Sequence, residues 1–306
     1  MSRIHDALKK AAKERTLQVS VRERADVAPV GVDIPQSILT AGQVAEQARS
    51  TRSSESGHFL RFDDLIKWCA HPVWKPDADY NLFRRADDNA KLGTERFRTL
   101  RSRLYQIAAA KPLKRVLVTS SVAAEGKTFV ATNLAQSIVR QPDKRVLIID
   151  ADLRAPRLHV ALGAPIGPGL TDYLRQEANE FAVIQCGLDP NLCFIPSGRP
   201  ASDPSELLSS DRMKQLLDLV TPVFDWVIVD SPPALAIHDA NILADLCDGT
   251  LFVLRAGETS SEIASKAVLE FRGKNLLGVV LNQVDQTEGF EGYPYEPRGI
   301  IEEVKS

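Results

Sequence analysis

The sequence predicts an α/β fold: a mostly parallel β-sheet with helices on both faces, preceded by a largely irregular N-terminal extension. Two observations predict the sheet. Short, nearly all-apolar runs rich in β-branched residues recur along the chain, as strands covered on both faces must read. Helical stretches alternate with them, which implies parallel pairing and places ligands at the carboxyl ends of the strands. A third observation sets the boundaries. Before residue 91 the chain is polar and irregular, with no apolar period long enough to build a core. The expected organisation is therefore an extension over 1–90 with short helical elements, an α/β domain over 91–282 and a flexible tail over 283–306.

Taken in order, residues 2–15 set Ile4, Leu8, Ala11 and Ala12 on one face of a short helix, with Lys9, Lys10 and Lys13 around it. ARSTRSSESGH at 48–58 reads as linker. In FLRFDDLIKWCAHPVW, at 59–74, Phe62, Leu65, Ile66 and Trp68 form a second apolar island that docks onto the main domain or onto a partner, unless both islands are fraying helical stubs on a flexible arm. ERFRTLRSRL opens a helix whose inward stripe is Phe97, Leu100, Leu104 and Ile107. Glu95, Arg98 and Arg101 fall within about 120° on another side by the 3.6-residue period. That charged stripe is either a solvated face with an internal Glu95–Arg98 pair or a surface that meets a neighbour. The strands expected are RVLVT (115–119), RVLIID (145–150), LCFIP (192–196), WVIVD (226–230), TLFVL (250–254) and GVVLN (278–282), with helices over 127–140, 205–220 and 259–272.

Composition narrows the classes. With 306 residues, 44% hydrophobic and 25% charged, the chain is sized for one sizeable core, or for one core plus an appendage. A net charge of −2 gives no argument for nucleic acid, and no nucleic-acid partner is expected. No stretch approaches the ~18 apolar residues of a membrane span, and MSRIHDALKKAAKERT lacks the apolar run of a secretory signal, so a cytoplasmic location is expected. Cys69, Cys186, Cys193 and Cys247 have neither C-x-x-C spacing nor histidines at zinc spacing, and buried free thiols are expected. His159 and His238 lie near the motifs below without a partner at catalytic spacing, and structural polar roles are expected for them.

The chemistry concentrates in VTSSVAAEGKTFV, 118–130. Gly126, Lys127 and Thr128 follow a strand and open a helix, the context in which backbone N–H groups and the positive helix end receive phosphate oxygens. Lys127 can then reach the β and γ phosphates, and Thr128 can ligate magnesium. The cradle runs through Ser121, Ala124, Glu125, Gly126, Lys127, Thr128 and Phe129, with Ser121 where the first glycine of such a loop stands. Ala124 departs further, because a Cβ on a backbone of positive φ costs roughly 1 kcal/mol or more. LIIDADLR ends its strand in Asp150 and Asp152, followed by Arg154, and VIVDSPP adds Asp230 before the rigid Pro232–Pro233 turn. Three carboxylates meeting one lysine and one hydroxyl at a single sheet edge make a site that magnesium would neutralise.

SSVAAEGKT, LIIDADLR and VIVDSPP together resemble the nucleotide motifs of the bacterial tyrosine kinases that control capsule and exopolysaccharide synthesis. SGRPASDPSELLSSDRMKQLL is similar to that family's G-x-x-P-x-x-P-x-E-L-L segment, and ERFRTLRSRL to its E-x-x-R-x-x-R motif. MSRIHDALKKA resembles the short N-terminal element of cytosolic versions encoded with polysaccharide export systems. The resemblance implies a P-loop NTPase-type fold, ATP and Mg2+ as cofactors, and phosphoryl transfer to tail tyrosines of a neighbouring subunit, here Tyr293 and Tyr295. It assigns Lys127 to the phosphates, Thr128 and Asp152 to the metal, Asp230 to the metal's water shell, Asp150 to orienting or deprotonating the tyrosine hydroxyl, and Asn282 to the adenine. Glu95, Arg98 and Arg101 become contacts in a homo-oligomer. A separate membrane-embedded chain-length or co-polymerase protein becomes the activator that recruits the chain to the inner face of the plasma membrane.

Two other readings use the same features. One is an ATPase switch of the chromosome-partitioning or division-site type; those carry a signature lysine where Val122 stands here, and their membrane-binding members end in a basic amphipathic helix, unlike GIIEEVKS. The other is a non-catalytic assembly adaptor that binds nucleotide weakly, for which Ala124 is the supporting feature.

Overall fold

The computed structural model describes residues 60–187 and 189–284. The helix expected at 2–15, the 48–58 linker and the two tail tyrosines lie outside the described residues.

The described chain runs α1 (Phe62–Trp68), a 3-10 turn (Leu82–Arg84), α2 (Asp88–Ala110), β1 (Arg115–Ser120), α3 (Lys127–Val139), β2 (Val146–Asp150), α4 (Leu158–Leu162), α5 (Leu170–Leu174), α6 (Glu180–Val183), β3 (Gln185–Cys186), β4 (Leu192–Ile195), α7 (Pro204–Leu208), α8 (Asp211–Val220), β5 (Trp226–Asp230), α9 (Asp239–Leu246), β6 (Gly249–Arg255), α10 (Ser261–Glu270) and β7 (Leu276–Asn282). Seven strands form one sheet in the order β3-β4-β2-β5-β1-β6-β7. Every pairing is parallel except β3 with β4. All six expected strands are present. The two-residue β3 is too short to leave a periodic signal, which is why sequence reading misses it. The helix expected over 205–220 is two helices, because Ser210 adopts an extended φ/ψ of −71°/153° and restarts the chain as the N-cap of α8.

Continuous apolar strands have two faces to cover, and the side chains divide accordingly. Leu117, Leu147, Ile149, Val227 and Val229 enter one core with α1, α5, α8, α9 and α10. Their neighbours Val116, Val118, Val146, Ile148 and Ile228 enter a second core with α2, α3 and α4. Phe97 and Leu104 of α2 are buried there, and Leu100 and Ile107 pack against them, the stripe expected from the 3.6-residue period.

Residues 60–74 dock onto the main domain, with Phe62 and Leu65 buried and Ile66 packed against the same core, while Trp68 of the expected island stays exposed. Phe62 meets Phe224 edge-on in the first core, with ring centroids 5.7 Å apart. Ala70 then bridges to Gln185 at the β3 edge, and Trp74 meets Phe194 edge-on at 6.1 Å in the second core. Further on, the Leu82 N–H donates to Asn133 Oδ1 on α3 at 2.9 Å. Residues 60–84 thus wrap the β3 edge from one face of the sheet to the other.

The expectation of four free thiols is corrected. Cys186 and Cys193 face each other across the antiparallel β3–β4 pair and form a disulfide, with Cα atoms 4.3 Å apart. Only the hairpin brings them together, so linear spacing could not reveal the pair. Cys69 and Cys247 are free; burial pushes the Cys69 thiol up to about 11, leaving it protonated at neutral pH.

Candidate nucleotide and active site

The site lies where β1, β2, β5 and β7 end. The β1–α3 connection turns back on itself through two left-handed residues, Ala124 (φ 65°) and Gly126 (φ 92°). Gly126 is required on two counts. Its φ favours glycine, and a Cβ there would stand 2.0 Å from Asn282 Nδ2. Ala124 does take the positive φ considered from the sequence, at roughly 1 kcal/mol of steric cost.

The three acids converge as expected. Asp150 and Asp230 are register partners on neighbouring parallel strands. Lys127 Nζ lies 3.2 Å from Asp152 Oδ2, and Thr128 Oγ1 donates to Asp230 Oδ2 at 2.7 Å. Asp150, Asp152 and Asp230 are all buried. Asp150 accepts from the N–H groups of Asp152 (3.3 Å) and Leu158 (3.1 Å), which holds the 151–158 connection against the strand end.

The electrostatics follow from the crowding. Burial pushes the Asp230 carboxyl up to about 7; Lys127 and the Thr128 hydroxyl oppose the rise and Asp152 adds to it. Asp150 is raised well above the ordinary carboxylate range by burial, then by Asp230 and Asp152. Burial alone would lower the Lys127 ammonium, but Asp230, Asp152 and Asp150 outweigh it and hold it above its usual value. Asp230 Oδ1 and Ser121 Oγ are buried without a hydrogen-bond partner, two polar atoms aimed at no protein group.

Other expected residues take specific places. Asn282 Nδ2 donates to the Glu125 carbonyl at 2.9 Å, so β7 reaches the phosphate loop directly. The Phe129 ring packs against Phe97 at 6.0 Å, turned into the α2–α3 contact. Glu95 pairs with Arg98 within α2, while Arg101 donates to the Ser137 carbonyl of α3. Burial, and then Arg157, lower the His159 pKa, and His238 precedes α9 as its N-cap.

Two groups escaped the sequence reading. Buried Asp239 accepts from Arg154 Nε at 2.8 Å and from Ser205 Oγ, joining the 151–158 connection to α7 and α9. Thr259 Oγ1 donates to Glu125 Oε1. The aspartate and threonine sit in ordinary helix-start and turn positions, which carry no signal; only Arg154, inside the LIIDADLR motif, was visible.

A glycine-closed loop opening a helix, with acids arriving from two later parallel strands, defines a nucleotide-binding domain. The CobQ/CobB/MinD/ParA nucleotide-binding domain family matches residues 116–293, and the kinship narrows within it. Tyrosine-protein kinase YwqD of Bacillus subtilis is 37% identical over 193 residues, covering 62% of this chain and 81% of YwqD. Tyrosine-protein kinase Etk of Escherichia coli is 36% identical over 204 residues, 66% of this chain and 28% of Etk. Among solved structures, the kinase domain of E. coli Etk superposes with a TM-score of 0.61 at 26% identity, covering 84% of this chain and 100% of that domain. The BceF tyrosine kinase domain does so with a TM-score of 0.56 at 31% identity, covering 62% and 77%. The chain belongs to the bacterial tyrosine-protein kinases.

Proposed function

We propose that the chain is an ATP-dependent protein-tyrosine kinase serving exopolysaccharide or capsule synthesis, which transfers phosphate to Tyr293 or Tyr295 of a neighbouring subunit. The observation that carries the proposal is the meeting of Lys127, Thr128, Asp152 and Asp230 at the amino end of α3. The residues fit a magnesium ion. Thr128 Oγ1, Asp152 and the unpartnered Asp230 Oδ1 would hold it, directly or through water. Magnesium takes most of its ligands from phosphate and water, so one or two protein carboxylates and a hydroxyl suffice. When bound, magnesium supplies charge neutralisation on the phosphate oxygens.

The side chains do the rest. Lys127 turns from Asp152 to the triphosphate, and the N–H groups of residues 124–128 receive its oxygens. Asp150, in its ionised form, receives the tyrosine proton as general base. Its oxygens are held by backbone N–H groups, so the proposal requires the 151–158 connection to shift as substrate enters. Asn282 faces the adenine side. Exposed Glu95 and Arg98 offer the contact between subunits, and a membrane-embedded co-polymerase protein is the proposed activator. No helix among the described residues is long and apolar enough to cross a membrane.

The test is direct. Purified protein with ATP and magnesium acquires phosphate on Tyr293 or Tyr295 by peptide mass spectrometry, and Lys127→Met abolishes it. ATP hydrolysis with no phosphotyrosine, on the chain or on a supplied tyrosine substrate, would favour the ATPase switch instead.

A further inference from the structure

Glu125 is the acid that the nucleotide reading leaves unexplained. It sits inside the phosphate loop, 2% exposed, where a negative charge opposes a triphosphate. Among the described residues it has no cationic partner within ion-pair distance. Its carboxylate is satisfied instead by two neutral donors. Oε2 accepts from the Val122 N–H at 2.8 Å, and Oε1 from Thr259 Oγ1. Thr259 is itself fixed at the end of β6, since its N–H donates to the Arg255 carbonyl at 3.1 Å and its hydroxyl accepts from the Arg255 N–H at 3.3 Å. The main chain of Glu125 is held as well, because its carbonyl accepts from Asn282 Nδ2 at the end of β7 at 2.9 Å.

We propose that Glu125 is a positioning residue that fastens the phosphate loop to strands β6 and β7 and holds Ala124 in its left-handed conformation before nucleotide enters. The inference rests on the nucleotide-binding reading of the loop. The bond from Val122 N–H to Glu125 Oε2 closes a ring around residues 122–125, with Ala124 inside it. An alanine leaves the left-handed region readily unless its surroundings hold it there. Side chain and carbonyl together give residue 125 two anchors on two strands, one step before the glycine that opens α3. The loop that departs from the glycine-rich pattern at Ala124 is therefore kept in shape by its neighbour.

Variants of the full chain test this. Glutamine can accept from Val122 and donate to Thr259, so Glu125→Gln keeps the ring; Glu125→Ala opens it. In nucleotide-free protein, amide hydrogen exchange over residues 121–126 should speed up at least about tenfold in Glu125→Ala and stay within about threefold of the parent in Glu125→Gln. The dissociation constant of a fluorescent ATP analogue should follow the same order. Adding Ala124→Gly to Glu125→Ala should recover about fivefold in affinity, because glycine needs no ring to hold a positive φ. Should Glu125→Ala fail to fold, Thr259→Val cuts one arm and should move both readouts the same way by less. Unchanged exchange in Glu125→Ala, or Glu125→Gln behaving like Glu125→Ala, overturns the proposal. A parent protein that shows the exchange pattern but binds no nucleotide would leave the brace standing and defeat the nucleotide reading itself.

Discussion

Asp230→Asn isolates the electrostatic cost of the site in nucleotide-free protein. Asp230 is fully buried, and its carboxyl lies at about 7 against an ordinary 3.8. The unfolded chain gives up that proton near 3.8, while the folded chain keeps it to about 7, so folding is favoured by the proton between those values. This contribution is fully present below 3.8 and is lost as pH rises through about 7. At ~1.4 kcal/mol per pH unit the whole effect is about 4 kcal/mol, of which more than half falls between about pH 5 and pH 8. Asparagine has nearly the shape of the protonated acid, and its Oδ1 can still accept from Thr128 Oγ1, so the variant lacks this dependence. Asp150 also loses one of the acids that raise it, which acts in the same direction. Urea unfolding of parent and variant across about pH 5 to pH 8 should show Asp230→Asn gaining stability on the parent by ~2–3 kcal/mol as pH rises. A difference constant to within ~0.5 kcal/mol would refute the reasoning, because Asp230 would then titrate as a solvated acid away from the others.

Other outcomes follow from the same geometry. Lys127→Met should lower tyrosine phosphorylation by at least about a thousandfold in a radiometric assay, since in the proposed mechanism it removes the cation that meets the transferring phosphate. Gly126→Ala introduces both an unfavourable φ and a Cβ 2.0 Å from Asn282 Nδ2, and calorimetric titration should show ATP affinity falling by more than about tenfold. Phe62→Ala empties a ring site against Phe224 and should destabilise the domain by ~3 kcal/mol in urea, with earlier proteolytic cleavage in residues 60–75. An unaffected midpoint would mean that the 60–84 segment is not part of the core.

What the sequence could disclose was whatever has a period or a chemical type. The six long strands were legible because burial on both faces forces an unbroken apolar run, and the strand ends marked the site because Asp150, Asp152 and Asp230 are acids beside such runs. Pairings made only in three dimensions stayed hidden. Cys186 meets Cys193 through a hairpin whose first strand is two residues long. Glu125 looked like a further lining residue of the phosphate cradle; its partners Val122 N–H and Thr259 Oγ1, one on the main chain and one far along the chain, give it a bracing role that no spacing encodes. Before residue 91 the apolar island showed Phe62 and Leu65, but Trp74 and Leu82 stayed hidden as anchors, because single side chains spread over a wrapping segment show no period.

The most direct measurement is a crystal structure of the full chain with magnesium and a non-hydrolysable ATP analogue. Phosphates should sit at the amino end of α3, with Lys127 Nζ moved from Asp152 to their oxygens and a metal between Thr128 Oγ1 and the carboxylates of Asp152 and Asp230. Nucleotide bound elsewhere, or Lys127 still paired with Asp152 beside a bound triphosphate, would contradict the account.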